Sequence, residues 1–288
     1  MIGDAPKGLR AHLPILYPAA SLAVFFVIPF GIMLAVSFFR REPGGFYTTE
    51  FSIDNYANLF TVLFGRVLAF SIFISAFCAA LCVAVGFPFT YFVTRMQRRA
   101  QVAWLVVLVS VLSLSAVIVA FAWSIMLSQT AGVSNLLVWL GIMEKAVSWS
   151  PGFWALTCGM CYIAFPYTVL VLYPPLSRLD PHLPEAAQTL GASPMTTFFT
   201  VVVGSLRSAI VATLIMVFAF TLGTYLIPQI LGRPQHWTLS VLITDEAIYR
   251  SNLPFAAAMS VFFMAVSLAL VGLTMLAGKG RGPAARCT

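Results

Sequence analysis

Residues 178–207 read RLDPHLPEAAQTLGASPMTTFFTVVVGSLR and form a polar segment between two long stretches that lack charged residues. Pro184 favours the first turn of a helix, and Glu185 places a negative charge at the positive end of the helix dipole. Gly191 can adopt the left-handed conformation that ends a helix. The pattern therefore predicts a short helix from about Glu185 to Gly191, and a second helix that begins near Pro194, because proline prevents simple continuation of the first.

The composition of the chain is typical of an integral membrane protein. Hydrophobic residues make up 60% of the 288 residues and charged residues only 9%, whereas charged residues make up about 25% of an average soluble domain. The formal net charge is +7, but the basic residues interrupt apolar stretches and do not form a face interleaved with aromatic residues. Nucleic acid is therefore not expected as a partner, and the positive charge is a signal of membrane topology.

The chain contains six stretches without charged residues, and each is longer than the roughly 20 residues that a helix needs to cross the hydrocarbon core. The third is long enough for a span from Gln101 to Ser128 followed by a short outer helix. We therefore expect an all-α membrane protein with six transmembrane helices. Its segments would be a cytoplasmic N-terminus at 1–12, a six-span domain at 13–278 and a cytoplasmic tail at 279–288. The uncharged stretches are 13–39, 67–94, 100–143, 146–177, 208–232 and 251–278.

The distribution of lysine and arginine predicts the orientation of these spans. The N-terminus, the loops at 95–99 and 178–207 and the tail carry ten of these bases, and the alternate loops carry six. Because cytoplasmic loops are enriched in lysine and arginine, both termini and the 178–207 loop are predicted to be cytoplasmic.

The same loop resembles a known family. Residues 185–187, Glu-Ala-Ala, followed after three residues by Gly191, match the EAA motif of inner-membrane permease subunits of ATP-binding-cassette (ABC) importers. The flanking residues 178–181 and 191–194 resemble the spermidine/putrescine-type branch of this family. The family motif ends in a proline, whereas this chain has Gly204 at that position.

The resemblance implies the type I ABC importer permease fold, in which this loop is a cytoplasmic coupling helix that sits in a cleft of an ATPase. It implies a multi-pass protein of the bacterial inner membrane, surrounded by membrane lipid. The partners would be an ABC ATPase dimer, a second permease subunit (a homologue or a copy of this chain) and an extracytoplasmic solute-binding protein. ATP would bind to the partner subunits, with no cofactor in this chain. The residues that would couple to the ATPase are Pro184, Glu185, Ala186, Ala187, Leu190 and Gly191.

The resemblance also implies import of a small solute, with a polyamine or a similar small organic cation as the leading candidate. Polyamine-type permeases usually have arginine-threonine-tyrosine before an alanine-tryptophan pair, whereas this chain has Val-Ala-Phe at 119–121. Opine-like compounds and phosphonates therefore stay as alternatives.

Polar residues within and near the fifth span are candidates for lining the solute path, because polar groups that face lipid are costly. Helix packing through glycine and threonine explains them equally well. On the outer side, Asp245 and Glu246 are candidates for contact with the binding protein, and solvated loop acids are the alternative. The candidate solute-path residues are Trp123 in the third span, Tyr167 in the fourth, and Thr221, Thr224, Tyr225 and Gln229 in the fifth.

Several motifs are absent from the sequence. It lacks the phosphate-binding pattern Gly-x-x-x-x-Gly-Lys-Ser/Thr, so we expect a transport subunit and not an enzyme. The three histidines lie far apart and predict no metal site. Two functions remain as alternatives: a proton- or sodium-coupled secondary transporter and a channel, each working without an ATPase. Both are disfavoured, because the predicted spans carry no acid or base and no pore-lining polar series.

Overall fold

The computed structural model describes residue 18 and residues 21–42, 47–130 and 132–279, with only the backbone of residues 274–279. The predicted N-terminal segment 1–12 and nearly all of the predicted tail therefore lie outside the described residues. The chain forms two compact units. Unit one contains the residues up to Thr61 together with Ile243–Ala265, and unit two contains Val62–Leu242 and the residues from Val266 onward.

Unit one combines a helix with a small hairpin that the sequence did not predict. The hairpin is antiparallel, with Phe39 opposite Phe51. The Asn55 side chain fixes its base, because its Nδ2 donates to the carbonyls of Ser37 at 3.0 Å and Phe39 at 2.8 Å. The elements are α1 (Ala23–Val36), β1 (Phe39–Arg40), β2 (Thr48–Phe51) and α2 (Asp54–Ala57).

Unit two is helical throughout its described residues, apart from connecting loops and turns. Its elements are α3 (Val62–Arg95), α4 (Arg98–Leu112), α5 (Ala116–Met126), α6 (Val133–Trp139), α7 (Phe153–Ser177), α8 (His182–Thr189), α9 (Pro194–Ser205), α10 (Arg207–Leu222), α11 (Leu226–Leu231) and a single 3₁₀ turn (Pro234–His236). Two further helices contribute residues to both units: α12 (Leu239–Thr244, continuing as Asp245–Tyr249) and α13 (Leu253–Lys279).

The described helices do not include six separate spans. Three of them, α3, α7 and α13, are long and apolar enough to cross a membrane. Two bent pairs pass the same test only together: α4 with α5, bent by 93°, and α9 with α10, bent by 72°. Helix α1 is apolar but shorter than a span. The described chain thus holds three spans, or up to five if each bent pair is one span, and the six-span count stays a prediction.

The core of unit two lies between α3, α7 and α10, where small residues allow close approach. A Cβ atom added at Gly86 on α3 would lie 3.1 Å from Cγ2 of Thr168 on α7. Cys78 and Cys82 are buried along the same side of α3 and are free thiols, in keeping with small residues that pack between helices. Helix α11 also packs closely against α7, at Gly159, where the absence of a side chain makes room for it.

Substitution of Gly159 tests this packing. A Cβ atom there would overlap Cδ1 of Leu231 and lie 3.0 Å from Cγ2 of Ile227, and both of those side chains are fully buried. We expect Gly159→Leu to lower the thermal unfolding midpoint in detergent, since overpacking a core costs about 1–3 kcal/mol. Gly65→Leu is the control, because a Cβ atom at Gly65 meets nothing within 4 Å. Equal midpoints for the two variants would contradict the assignment of Gly159 to a close helix contact.

Candidate functional site

The segment that carries the EAA motif folds as helix α8, which begins three residues before the predicted start. Its first turn contains Glu185, as the sequence indicated, and Pro184 is buried. The N-terminus is closed by local side chains: Asp180 Oδ1 accepts the backbone N–H of His182 at 3.0 Å, and His182 Nδ1 lies 3.2 Å from Glu185 Oε2. The helix therefore has a defined start that does not depend on another chain.

The end of α8 confirms the predicted role of Gly191. This residue has φ +91°, in the left-handed region that favours glycine. Its N–H donates to the carbonyl of Gln188 at 2.9 Å, and the N–H of Ala192 donates to the carbonyl of Ala187 at 3.1 Å. These two bonds form a Schellman motif, which satisfies carbonyls that the helix end would otherwise leave free. Side chains other than glycine are strained at this position.

The restart of the helix after this turn also follows the prediction. Helix α9 begins at Pro194, and Ser193 caps it, because Ser193 Oγ accepts the N–H of Thr196 at 3.2 Å. The chain between α8 and α9 is therefore a tight turn with both helix ends hydrogen-bonded.

Helix α9 attaches this segment to the ends of α3 and α7. The Phe198 ring meets Phe87 and Tyr91 of α3 edge-on, with ring centroids 5.7 Å and 5.4 Å apart. Val202 is fully buried in a cluster that includes Leu172 and Leu176 of α7. The α8–α9 segment is thus packed onto two of the long apolar helices.

Several apolar side chains of the α8–α9 segment are exposed. Leu190 is 89% exposed, and Leu183, Met195 and Phe199 are also exposed. Among the other predicted coupling residues, Glu185, Ala186 and Gly191 are exposed and Ala187 is half-buried. Exposed apolar side chains of this kind mark interaction surfaces when they gather in one segment.

Gly204 lies in a right-handed helical stretch at the end of α9. A Cβ atom added there meets nothing within 4 Å, so the position does not require glycine. The 72° bend into α10 occurs around Leu206, which lies between the two helices, and no proline is present at the bend. The glycine that replaces the family proline therefore does not remove the bend.

The candidate solute-path residues lie in unit two, but they do not form one cluster. Thr221 is 1% exposed, and its hydroxyl donates to the carbonyl of Val217 at 2.9 Å and lies 3.3 Å from the carbonyl of Ser75 on α3. This geometry favours the helix-packing alternative for Thr221. The Thr224 hydroxyl likewise donates to the carbonyl of Phe220 in its own helix, at 3.1 Å.

Two of the aromatic candidates each pack against another ring. The ring centroid of Trp123 lies 5.8 Å from that of Tyr162, and Tyr167 stacks on Phe220 at 5.2 Å. The remaining candidates, Tyr225 and Gln229, are half-buried around α11. Within the described chain no ring contact or side-chain hydrogen bond joins two of the six candidates. The structure therefore supplies separate aromatic and polar positions and does not assemble a single binding site from them.

In unit one, the two predicted outer acids are engaged within the chain. Arg250 Nε lies 3.0 Å from Asp245 Oδ2, and Arg250 Nη1 lies 2.9 Å from Glu246 Oε1. Glu246 is only 7% exposed. Arg41 closes the network from the hairpin side, because its Nη2 donates to the carbonyl of Arg250 at 2.7 Å. The two acids are therefore not free solvated charges, and Glu246 presents almost no surface to a partner.

A polar cavity of about 580 Å³ lies beside this network in unit one. Its lining contains both charge signs, with arginines 40, 41 and 250 and the acids at 54 and 246. The other lining residues are Ser52, Asn55, Asn58, Thr61, Asn252 and Phe255.

Comparison with known proteins assigns the chain to a family. The family described as "Binding-protein-dependent transport system inner membrane component" matches residues 86–278, about two thirds of the chain. The chain belongs to this family. It is a permease subunit of an ABC importer, a transport subunit whose ATPase is a separate chain. A subunit of this kind works in the inner membrane with an ATPase and an extracytoplasmic binding protein.

Curated relatives and solved structures agree with this assignment. The permease is 27% identical over 260 residues to the spermidine/putrescine transport system permease protein PotB of Haemophilus influenzae, covering 90% of this chain and 91% of that one. It is 26% identical over 242 residues to PotB of Escherichia coli, covering 83% and 87%. The fold is similar to that of a bacterial ABC transporter involved in the import of the acidic polysaccharide alginate, with a TM-score of 0.76, 18% identity and coverage of 93% and 94%.

The described part of the permease has no group of three or more histidine, cysteine or acidic side chains that could hold a metal ion.

His236 lies beside Phe70 and Phe153, with ring centroids 5.7 Å and 6.1 Å away. Burial lowers the pKa of His236, and the nearby charge of Arg233 lowers it further. The neutral form of this histidine is therefore favoured.

Replacing Arg250, which pairs with Asp245 and Glu246, should destabilise the permease. Arg250→Gln leaves the nearly buried carboxylate of Glu246 without its cationic partner, and an unsatisfied buried group of this kind costs about 1–3 kcal/mol. We expect a lower thermal midpoint in detergent for this variant. The double variant Glu246→Gln with Arg250→Gln should recover part of the loss, because it removes the unpaired charge. Equal thermal midpoints for the single and double variants would contradict a stabilising ion pair between Glu246 and Arg250.

Proposed function

We propose that the permease is driven by its ATPase through the α8–α9 segment, with α8 seated in a cleft of the ATPase. The observation that carries this proposal is the end of α8, where Gly191 at φ +91° forms a hydrogen-bonded turn that presents the exposed Leu190. A helix with both ends satisfied by its own chain can transmit a displacement without unwinding. Docking therefore needs no folding step in this segment.

The packing of α9 supports transmission from this helix to the membrane-spanning part. Phe198 contacts α3, and Val202 packs in the same cluster as Leu172 and Leu176 of α7. Close-packed interiors transmit shifts because they cannot deform continuously. A displacement of α8 would therefore move the ends of α3 and α7, which are two of the three long apolar helices.

The same proposal includes a cytoplasmic 178–207 loop and a second permease subunit. The ten bases on the side of the 178–207 loop, against six on the other side, favour a cytoplasmic position for the loop and for both termini. The import path would form between this chain and a second permease, either a homologue or a second copy. Six spans per chain remain our expectation for this arrangement.

For the solute, we propose a polyamine or another small organic cation. Support comes from the two relatives named as spermidine/putrescine permeases. Aromatic side chains such as Trp123 and Tyr167 can bind cationic groups through their ring faces, at a gain of about 0.5–2 kcal/mol each. Opine-like compounds and phosphonates remain the alternatives.

The contact with the binding protein is better assigned to neighbours of the two acids than to the acids themselves. Ile248 and Tyr249 lie two and three residues after Glu246 in the same helical turn, and they are 66% and 69% exposed. Tyrosine is enriched at protein interfaces, whereas acidic residues are depleted at their centres. We therefore propose that Ile248 and Tyr249 contact the binding protein and that Arg250, Asp245 and Glu246 hold their turn in shape.

The coupling proposal is tested in liposomes that contain the permease, its ATPase, its second permease and the binding protein, with two readouts. One is uptake of labelled spermidine and putrescine, and the other is ATP hydrolysis stimulated by the loaded binding protein. We expect Gly191→Asp to reduce uptake by at least tenfold relative to wild type, because it adds a side chain to the docked surface and a negative charge at the negative end of the α8 dipole.

Gly204→Ala is the matched control, since it changes a glycine of the same segment that has open space around it. It should keep wild-type uptake and hydrolysis. Wild-type uptake by a well-inserted Gly191→Asp variant would refute the coupling proposal. Stimulated hydrolysis without uptake of either polyamine in the wild type would leave coupling intact and reject the proposed solute.

A further inference from the structure

Three arginines surround the turn between α3 and α4: Arg95, Arg98 and Arg99. All three are exposed. Within the described residues none of them lies within 4.0 Å of a carboxylate. The first turn of α4 also contains no acidic residue. The turn thus concentrates three positive charges that the described chain does not neutralise.

The side chains around this turn hold two of the arginines in place. The guanidinium of Arg95 lies over the ring of Tyr91, 5.2 Å from its centroid. Arg98 Nη1 donates to the hydroxyl of Tyr173 at 3.4 Å, and that hydroxyl donates to Oε1 of Gln101 at 2.7 Å. Each guanidinium is therefore oriented while most of its N–H donors remain available.

The turn itself is fixed by Gln101. Its Nε2 donates to the carbonyl of Thr94 in the last turn of α3 at 3.1 Å and to that of Met96, directly after α3, at 2.8 Å. The cationic groups therefore sit on a rigid scaffold. A preorganised cluster binds an anion with less loss of side-chain entropy than free arginines do.

The position of the turn indicates which anion it meets. It joins α3, which is apolar enough to cross a membrane, to the bent pair α4–α5, which passes the same test as one span. A turn that joins two spans lies outside the hydrocarbon core, on the side of the lipid phosphates. Trp104, one to two helical turns into α4, is 41% exposed and packs edge-on against Phe89 at 5.4 Å. Tryptophan is enriched at this level of membrane proteins.

We propose that Arg95, Arg98 and Arg99 form a binding site for the phosphate of an anionic phospholipid. Guanidinium groups match phosphate oxygens with paired N–H donors, and basic groups beside spanning helices bind acidic head groups. The Arg98–Tyr173 contact extends the site to α7, four residues before that helix ends. A bound lipid would therefore bridge α4 and α7.

The test measures binding of phosphatidylglycerol to the full purified chain in neutral detergent, with phosphatidylcholine as the reference lipid. Native mass spectrometry gives the affinity, and the thermal midpoint gives an independent readout. We expect wild type to bind phosphatidylglycerol selectively and to gain thermal stability from it. Each Arg→Gln change should weaken binding about fivefold, and the triple variant on the order of a hundredfold.

Arg66→Gln is the matched control. Arg66 is also exposed, and it lies on the same helix about 40 Å from the turn, so its replacement should leave the affinity unchanged. The single variant Arg99→Gln controls for misfolding, because Arg99 makes no side-chain hydrogen bond, ion pair or ring contact within the described residues, so its replacement should not disturb the turn.

Three outcomes would overturn the proposal. The first is wild-type affinity for phosphatidylglycerol in the triple variant. The second is an equal thermal shift from inorganic phosphate alone, which would identify a site for a soluble anion. The third is loss of ATPase co-purification from the triple variant with lipid affinity unchanged, which would assign the cluster to the ATPase.

Discussion

The ring of Phe198 meets Phe87 and Tyr91 edge-on, and this contact attaches the EAA segment to the helical core. Helix α8 itself buries little beyond Pro184, so its position depends on α9 and on the turn at Gly191. The same end of the core holds Leu172, Leu176 and Val202 in one cluster. In the proposed coupling, a displacement of α8 reaches α3 and α7 through this aromatic and aliphatic contact.

Several threonine hydroxyls inside the apolar helices reflect a second constraint, the absence of water as a hydrogen-bond partner in a membrane. Thr90, Thr168 and Thr213 each donate to a carbonyl four residues earlier in their own helix, at 2.6–2.8 Å. Thr221 does the same and also reaches α3. Such residues are satisfied within the fold, so polarity along a span is a weak indication of a solute path.

Local chemistry made parts of the structure predictable from the sequence. The left-handed Gly191 and the cap at Ser193 depend only on neighbouring residues, and the EAA spacing placed the chain in its family. The bend near Ser113–Ser115 was not predicted, because absence of charge marks a membrane segment but does not report whether its helix is continuous. The bend near Leu206 falls at the predicted boundary between the 178–207 loop and the fifth span. The pairing of Glu246 with Arg250 was missed, although its i, i+4 spacing is a signal that sequence reasoning can use.

The central claim, that α8 is the surface that meets the ATPase, is tested most directly by photo-cross-linking in native membranes. A benzophenone side chain would replace either Leu190 or, as the control, the exposed Gln235. Gln235 adjoins His236, which contacts Phe153 at the opposite end of α7, a 25-residue helix roughly 35–40 Å long. The account predicts a cross-link from position 190 to a nucleotide-binding chain and none from position 235. A cross-link to that chain from position 235, or none from position 190 in an intact complex, would contradict it.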